Sequence, residues 1–179
     1  MYYSTIYSSP IGSIMLASDG EKLIGLWNEK QKYHGNTIFK DMETKNDIPV
    51  FGSTKKWLDK YFAGEKPAIH ELPIAPVGSD FRQNVWGILC EIPYGETTTY
   101  GDIAKKIAVK MNKKTMSSQA VGGAVGHNPL SIIIPCHRVV GASGSLTGYA
   151  GGIKTKMKLL ELEGVDMSKF YVPKKGTAL

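Results

Sequence analysis

Residues 132–140 read Ile-Ile-Ile-Pro-Cys-His-Arg-Val-Val, an apolar run that delivers a cysteine straight into a histidine and an arginine. The thiolate is the reactive form of cysteine, and basic or cationic neighbours favour it over the thiol. His137 and Arg138 are two such neighbours, in sequence, for Cys136. Pro135 restricts the residue before it to extended geometry, so the pattern predicts a strand over 132–134 that ends where the thiol is presented. Adjacent residues need not have side chains that touch. By itself the segment therefore leaves two readings open, a reactive thiol or a small packing residue. The other cysteine, Cys90 in Trp-Gly-Ile-Leu-Cys-Glu-Ile, reads as a packing residue. The two cysteines show neither a CxxC nor a metal-ligand spacing, which fits a reducing, cytoplasmic setting in which a thiol stays available.

Positioning such a group needs a scaffold, and the patterning supplies two kinds. The first 28 residues alternate short strand patterns (2–8, 13–18 and 22–28) with turn signals at Ser9-Pro10-Ile11-Gly12 and Asp19-Gly20, which predicts an antiparallel meander. Residues 29–50 are polar and unassigned. Trp57, Leu58, Tyr61 and Phe62 mark one face of a short helix stopped by Gly64. Pro67, Pro73, Pro76 and Gly78 read as a linker.

Beyond the linker the signals are helical. Asp80 with Gln83 suggests a capped helix start, followed by Phe81, Val85, Ile88 and Leu89 at helical spacing. Thr99 with Asp102 suggests a second capping box, and Tyr100, Ile103, Ala104, Ile107 and Ala108 form an unbroken apolar stripe. A third helix is predicted over 117–125, stopped by Gly126 and Pro129, and a last one over 152–163 with Ile153, Met157 and Leu160 inward and Gly164 as its stop. The lysine-rich tail after Asp166 is expected to be poorly ordered. The fold class is α+β: a small N-terminal β-sheet domain with helix and linker over 1–77, a mainly helical domain over 78–165, and a basic tail over 166–179.

The second and third of these helices, joined near 109–116, look like a helix-turn-helix within a winged-helix-like arrangement. The third helix carries Ser118, Gln119, Ala120, Val121, Gly122, Gly123 and Ala124, with no arginine or asparagine to address base edges. Each glycine inside a helix costs about 1 kcal/mol relative to alanine. The Gly-Gly pair therefore serves either a close approach to a partner or tight packing within the protein. Charge favours a polyanion as partner. Residues 1–77 hold nine Lys/Arg and nine Asp/Glu, whereas 78–179 hold thirteen and seven, so the whole excess of +6 lies in the half that carries Cys136. No apolar stretch is long enough for a transmembrane helix, and the N-terminus lacks signal-peptide character.

The segment Ala120–Val140, together with Ile-Pro-Tyr-Gly-Glu-Thr-Thr-Thr-Tyr-Gly-Asp-Ile-Ala at 92–104 and Leu-Thr-Gly-Tyr-Ala-Gly-Gly at 146–152, resembles the O6-alkylguanine-DNA alkyltransferases, or methylated-DNA–protein-cysteine methyltransferases. The resemblance runs from about Phe81 to Gly164 and is loose over the first 75 residues. It implies DNA repair by direct, irreversible transfer of the alkyl group from O6-alkylguanine, and from O4-alkylthymine, to an internal cysteine after the damaged base is flipped out. Each molecule would act once, and no cofactor would be needed. The implied partner is double-stranded DNA approached through its minor groove, by a monomer with no membrane association.

The resemblance assigns Cys136 as the nucleophile, His137 as a base acting through a water, Glu163 as the carboxylate that orients the histidine, and Tyr100 as the phenol that helps the guanine leave. Asn128 braces the turn before the cysteine segment. Pro135, Val139, Tyr149 and Ala150 support the site, with Gly148 and Gly151 in the loop lining the alkyl pocket. Ser118, Gln119, Ala120 and Gly123 would meet DNA. Arg138 is grouped with them and also as a support of the active-site loop. Gln119 departs from the family, which commonly places arginine there to fill the stack vacated by the flipped base. Some members hold zinc in the N-terminal domain; this segment has no cysteine, and His34 and His70 alone make a poor metal set. Alternative classes are a non-enzymatic lesion binder, a helix-turn-helix regulator and a cysteine hydrolase.

Overall fold

The computed structural model describes residues 1–31 and 41–174. The chain divides into two compact units, one made of residues 1–77 and 129–133, the other of 78–128 and 134–179.

In the first unit β1 (Tyr2–Ser9), β2 (Gly12–Ser18) and β3 (Leu23–Asn28) form the predicted meander. β4 (Met42–Thr44) adds to β1 in parallel, giving the sheet order β3-β2-β1-β4. β3 is an edge strand, and an uncovered edge leaves a row of backbone groups unpaired. Here it is covered. Leu23 exchanges backbone hydrogen bonds with Pro73 and Ala75, and Leu26 with Pro129 and Ser131. This pairing explains why residues 129–133, which the sequence placed with the helical domain, belong to the first unit. It also explains why all six residues of β3 are buried. Against the sheet lies α1 (Pro49–Phe62), which buries Val50, Phe51, Thr54, Trp57, Leu58 and Tyr61. The helix starts earlier than its aromatic face suggested because Pro49 sits in its first turn, where a missing N–H costs nothing. His70 lies in a short 3₁₀ turn over Ile69–Glu71, whereas His34 lies outside the described residues.

The second unit is built from α2 (Asp80–Leu89), β5 (Thr98–Thr99), α3 (Tyr100–Lys110), α4 (Ser118–Gly126), β6 (Val139–Val140) and α5 (Ile153–Leu162). Ser79, not Asp80, is the N-cap of α2; its hydroxyl accepts from the Arg82 N–H, and Asp80 is one position inside, where a carboxylate meets the positive end of the helix dipole. Thr99 caps α3 as predicted, accepting from the Asp102 N–H and donating to its carboxylate. α3 ends through Asn112 at φ 52, with Lys113 N–H returning to Ala108 O. This left-handed stop is one that asparagine tolerates. Ser117 then caps α4 by accepting from the N–H groups of Gln119 and Ala120.

Two short features set the site. β5 and β6 pair in parallel, Thr98 with Val139 and Thr99 with Val140, so the residue that opens α3, Tyr100, is brought beside the segment that follows Arg138. The predicted strand over 132–134 is instead a pair of tight turns. Ile133 N–H bonds to Ser131 O around Ile132 at φ 72, and Cys136 N–H bonds to Ile134 O around Pro135. An apolar run bounded by a proline does not distinguish a strand from a buried turn. A β-branched residue at positive φ is an outlier that persists only where the surroundings over-determine it. The tail also differs from expectation: Tyr171 pairs with Ser145, its carbonyl accepting from Leu146, and Phe170 packs with Leu160 and Val140. An apolar cluster extends order through a segment whose composition looked disordered; residues 175–179 lie outside the described residues.

Trp86 ties α2 to α4. Its indole Nε1 donates to Ala124 O, 2.9 Å away, one of the carbonyls left over at the end of α4. Trp86→Phe keeps the apolar bulk and strands that buried carbonyl, so urea unfolding should show a loss of about 1–3 kcal/mol.

Candidate active site around Cys136

Cys136, His137 and Arg138 form one 3₁₀ turn, and all three side chains are buried. Because successive residues of such a turn point in different directions, the two basic side chains do not serve the thiol as their order in sequence suggested. His137 Nε2 meets Glu163 Oε1 at 2.6 Å. Arg138 reaches the same carboxylate with two nitrogens, Nε to Oε2 at 2.9 Å and Nη2 to Oε1 at 3.0 Å. Arg138, grouped in the sequence both with the DNA-contacting residues and with the supports of the loop, is buried on this carboxylate. Its remaining donor Nη1 goes to Ile92 O at 2.7 Å, and its guanidinium lies over the Tyr94 ring.

Glu163 is delivered by the end of α5. Gly164 adopts φ 78 and returns its N–H to Glu161 O, while Val165 N–H returns to Leu160 O. This closes the helix with a left-handed glycine and turns the carboxylate inward. A fourth bond comes from the Gly95 N–H to Oε2 at 3.2 Å. Gly95 sits at φ 79, and a Cβ there would stand 2.9 Å from the Glu163 carbonyl, so the position excludes a side chain twice over. Burial would raise the Glu163 carboxyl, but hydrogen bonds from His137 and Arg138 win and hold it well below the usual carboxylate range. For His137, burial is again the largest influence and lowers its basicity. Glu163 opposes this, Arg138 and Lys156 add to it, and the ring stays neutral.

The charge near the sulfur is Lys156, which the sequence reading missed. On α5 it falls within the buried stripe, one turn from Ile153 and Leu160, and its side chain is fully buried. Its ammonium donates to Val139 O and, at 2.9 Å, to Thr147 O. Burial pushes Lys156 down to about 8, against the pull of Cys136. The Cys136 thiol is pushed up by burial; a hydrogen bond from Asn128, the Lys156 charge and the N–H groups of its own turn pull it back only in part. The resting group is therefore the thiol, which needs a base when it reacts. Asn128 Nδ2 also donates to Ile134 O at 2.8 Å, bracing the turn as expected of it. Tyr100 donates its hydroxyl to Gly148 O at 3.0 Å and to Thr147 O at 3.2 Å, and burial with the nearby thiol raises its proton affinity. Val139 and Tyr149 are buried, Pro135 forms the turn before the thiol, and Ala150 is half-buried in the loop that follows Tyr149.

The other predicted surface is open. Ser118, Gln119 and Ala120 are exposed at the start of α4. A Cβ on Gly123 would meet nothing within 4 Å, whereas one on Gly122 would touch only the Tyr100 ring at 3.9 Å. Internal packing therefore does not require glycine at 123, which leaves close approach from outside as the reading of that residue. Among the described residues no cluster of His, Cys, Asp and Glu is placed to hold a metal ion, and no helix is long and apolar enough to cross a membrane.

A buried thiol backed by an imidazole–carboxylate–guanidinium group, in one unit with a helix-turn-helix, defines a class of cysteine-nucleophile proteins built around a nucleic-acid-binding scaffold. Family models described as the 6-O-methylguanine DNA methyltransferase ribonuclease-like domain and DNA-binding domain match residues 1–76 and 80–165. The chain thus belongs to the 6-O-methylguanine DNA methyltransferase family. It is 46% identical over 166 residues to a methylated-DNA–protein-cysteine methyltransferase of Methanosarcina acetivorans, covering 92% of this chain and 99% of that protein. The counterpart in Haemophilus influenzae is 42% identical over 163 residues, covering 91% and 87%. The crystal structure of Mycobacterium tuberculosis OGT in complex with DNA aligns with a TM-score of 0.76 at 42% identity, covering 94% of each chain.

The buried lysine has a testable signature. A lysine near 8 in the folded state and near 10.5 unfolded binds fewer protons when folded, so its contribution to stability rises with pH between those values. The stability difference between the wild type and Lys156→Met should therefore move in favour of the wild type from pH 8 to 10.5, by at most about 1.4 kcal/mol per unit. Urea unfolding across that range is the check, and a flat difference would mean Lys156 is solvated.

Proposed function

We propose that this protein repairs O6-alkylguanine in duplex DNA, and O4-alkylthymine by the same route, by moving the alkyl group irreversibly onto Cys136, each molecule acting once. The observation that carries the reading is a thiol held protonated by burial, with an imidazole beside it that burial, Arg138 and Lys156 keep neutral against the pull of Glu163. Through a water, the thiol proton passes to Nδ1 of His137, since Nε2 carries the hydrogen bonded to Glu163. The sulfur then attacks the alkyl carbon: an S–C bond forms, the C–O6 bond breaks, and its electron pair leaves on the guanine. The base takes up the proton equivalent that the thiol gave up, so the products are a thioether and neutral guanine. Tyr100, which holds its proton tightly, donates a hydrogen bond to the departing base. Lys156 sits where the negative charge on sulfur develops.

The damaged nucleotide must leave the stack to reach a buried sulfur, at roughly a few kcal/mol, and less for a lesion that pairs badly. The exposed Ser118, Gln119 and Ala120 with the half-buried Gly123 support an approach through the minor groove, where small residues let the helix backbone come close. The relative from Mycobacterium tuberculosis, crystallised in complex with DNA, supports DNA as the partner. In this reading the protein acts as a monomer in the cytoplasm, with no cofactor and no membrane contact.

Mass spectrometry after exposure to an O6-methylguanine oligonucleotide should show one added methyl, on Cys136. Cys136→Ser should bind the DNA and gain none, whereas Cys90→Ser should react as the wild type does. Turnover beyond one equivalent would refute single use, and DNA binding without a mass gain would leave a lesion-binding protein.

Gln119 offers a second test. Phosphate contacts dominate DNA affinity, and each steepens the slope of log K against log salt by about 0.9 on duplex DNA. Gln119→Arg should tighten duplex binding at low salt, steepen that slope by up to about this amount and speed repair in duplex. Reaction with the free alkylated base should barely change, because no stack is filled there. Equal rate changes on both substrates would place Gln119 at the pocket instead.

A further inference from the structure

The role of Arg138 remains. Arg138 takes both oxygens of Glu163 with Nε and Nη2, and Oε1 is the oxygen that also receives His137 Nε2. Its side chain is 9% exposed and that of Glu163 not at all, so solvent screens this pair weakly. The titratable and charged groups that face the imidazole are Glu163 and Lys156 from α5 and Arg138 from its own turn, with the thiol of Cys136 as the adjoining residue. Glu163 pulls a second proton toward the ring against the effect of burial, and an imidazolium cannot take another from the thiol. Arg138 competes with the ring for the same anion. Its geometry is locked from the other side by Ile92 O and the Tyr94 ring, so it cannot turn away.

We propose that Arg138 is a positioning residue for the transfer: by neutralising Glu163 inside the protein, it keeps His137 in the uncharged, singly hydrogen-bonded form that can accept the thiol proton. The inference rests on the reading of His137 as the base. It adds that the arginine beside the reactive cysteine acts on the histidine through the carboxylate and not on the sulfur.

The experiment follows the His137 imidazole by NMR, assigned with a His137→Asn variant, alongside the rate of methyl transfer from an O6-methylguanine oligonucleotide against pH. In the wild type the acid limb of the rate should coincide with the His137 titration; if the two do not coincide, the base reading fails whatever Arg138 does. In Arg138→Gln both midpoints should move up together by at least about one pH unit, so that the rate on the acid limb drops about tenfold and recovers at higher pH. Because this variant strands a buried carboxylate, the same comparison is made in a Glu163→Gln background. There, with no carboxylate left to neutralise, loss of Arg138 should move the His137 midpoint much less than it does beside Glu163. A coinciding rate limb and titration in the wild type, with a His137 midpoint unmoved by loss of Arg138 beside Glu163 or moved equally in both backgrounds, would overturn the proposal.

Discussion

The Glu163 carboxylate is the interaction on which the catalytic unit depends. Two oxygens receive four bonds, from His137, twice from Arg138 and from the Gly95 N–H, and no water is needed to complete them. Burying an ion pair costs several kcal/mol per ion unless its remaining hydrogen-bonding capacity is filled, and removing one partner is worse than removing both. Here the capacity is filled from three directions. The end of α5 carries the acid, the cysteine turn carries the base and the guanidinium, and the 92–95 turn supplies a carbonyl and an N–H. The cost of desolvation thereby becomes a constraint on geometry, because none of the three segments can shift without uncovering a charge.

Lys156, seven residues before Glu163 on α5, makes a second, parallel constraint. Its ammonium is held by carbonyls of Val139 and Thr147, and Thr147 O is also an acceptor of the Tyr100 hydroxyl. One lysine therefore joins α5, the short β6 strand and the loop before Tyr149, while β5 pairing with β6 sets Tyr100 against the same loop. The two buried cations thus have different partners: Lys156 is held by carbonyls near the sulfur, and Arg138 by the Glu163 carboxylate. The thiol, masked by burial, stays protonated at rest, and this protects a group that can react only once from being spent on other electrophiles.

The nucleic-acid face follows a different logic. α4 carries no arginine, lysine or asparagine, and its exposed positions Ser118, Gln119 and Ala120 are small or neutral. Such a helix contributes shape and close approach, while the excess positive charge of the second half of the chain supplies attraction.

Local rules were enough to locate much of this from the residues alone. The meander, α3 with its Thr99 cap, α4 and α5 with its Gly164 stop are legible because caps, stops and apolar spacing act within a few positions. The identity of Cys136, His137, Glu163, Tyr100 and Asn128 as a set came from motif resemblance, and the structure brings them into one buried site. What the chain order could not reveal was direction. Neighbours in sequence, Cys136 and Arg138, turn away from each other, while partners 25 and 26 residues apart share one carboxylate. Nothing in the sequence singled out Lys156, because a helix lysine is usually solvated, and the carbonyls of Val139 and Thr147 are what make its burial tolerable. Likewise Ile132–Ile134 read as a strand, since apolar β-branched runs favour one, until the pairing of residues 129–131 with β3 bent the run into turns. Local propensity decided where helices and strands begin and end; the satisfaction of buried charge and of an open sheet edge, both long-range, decided where the reactive groups point.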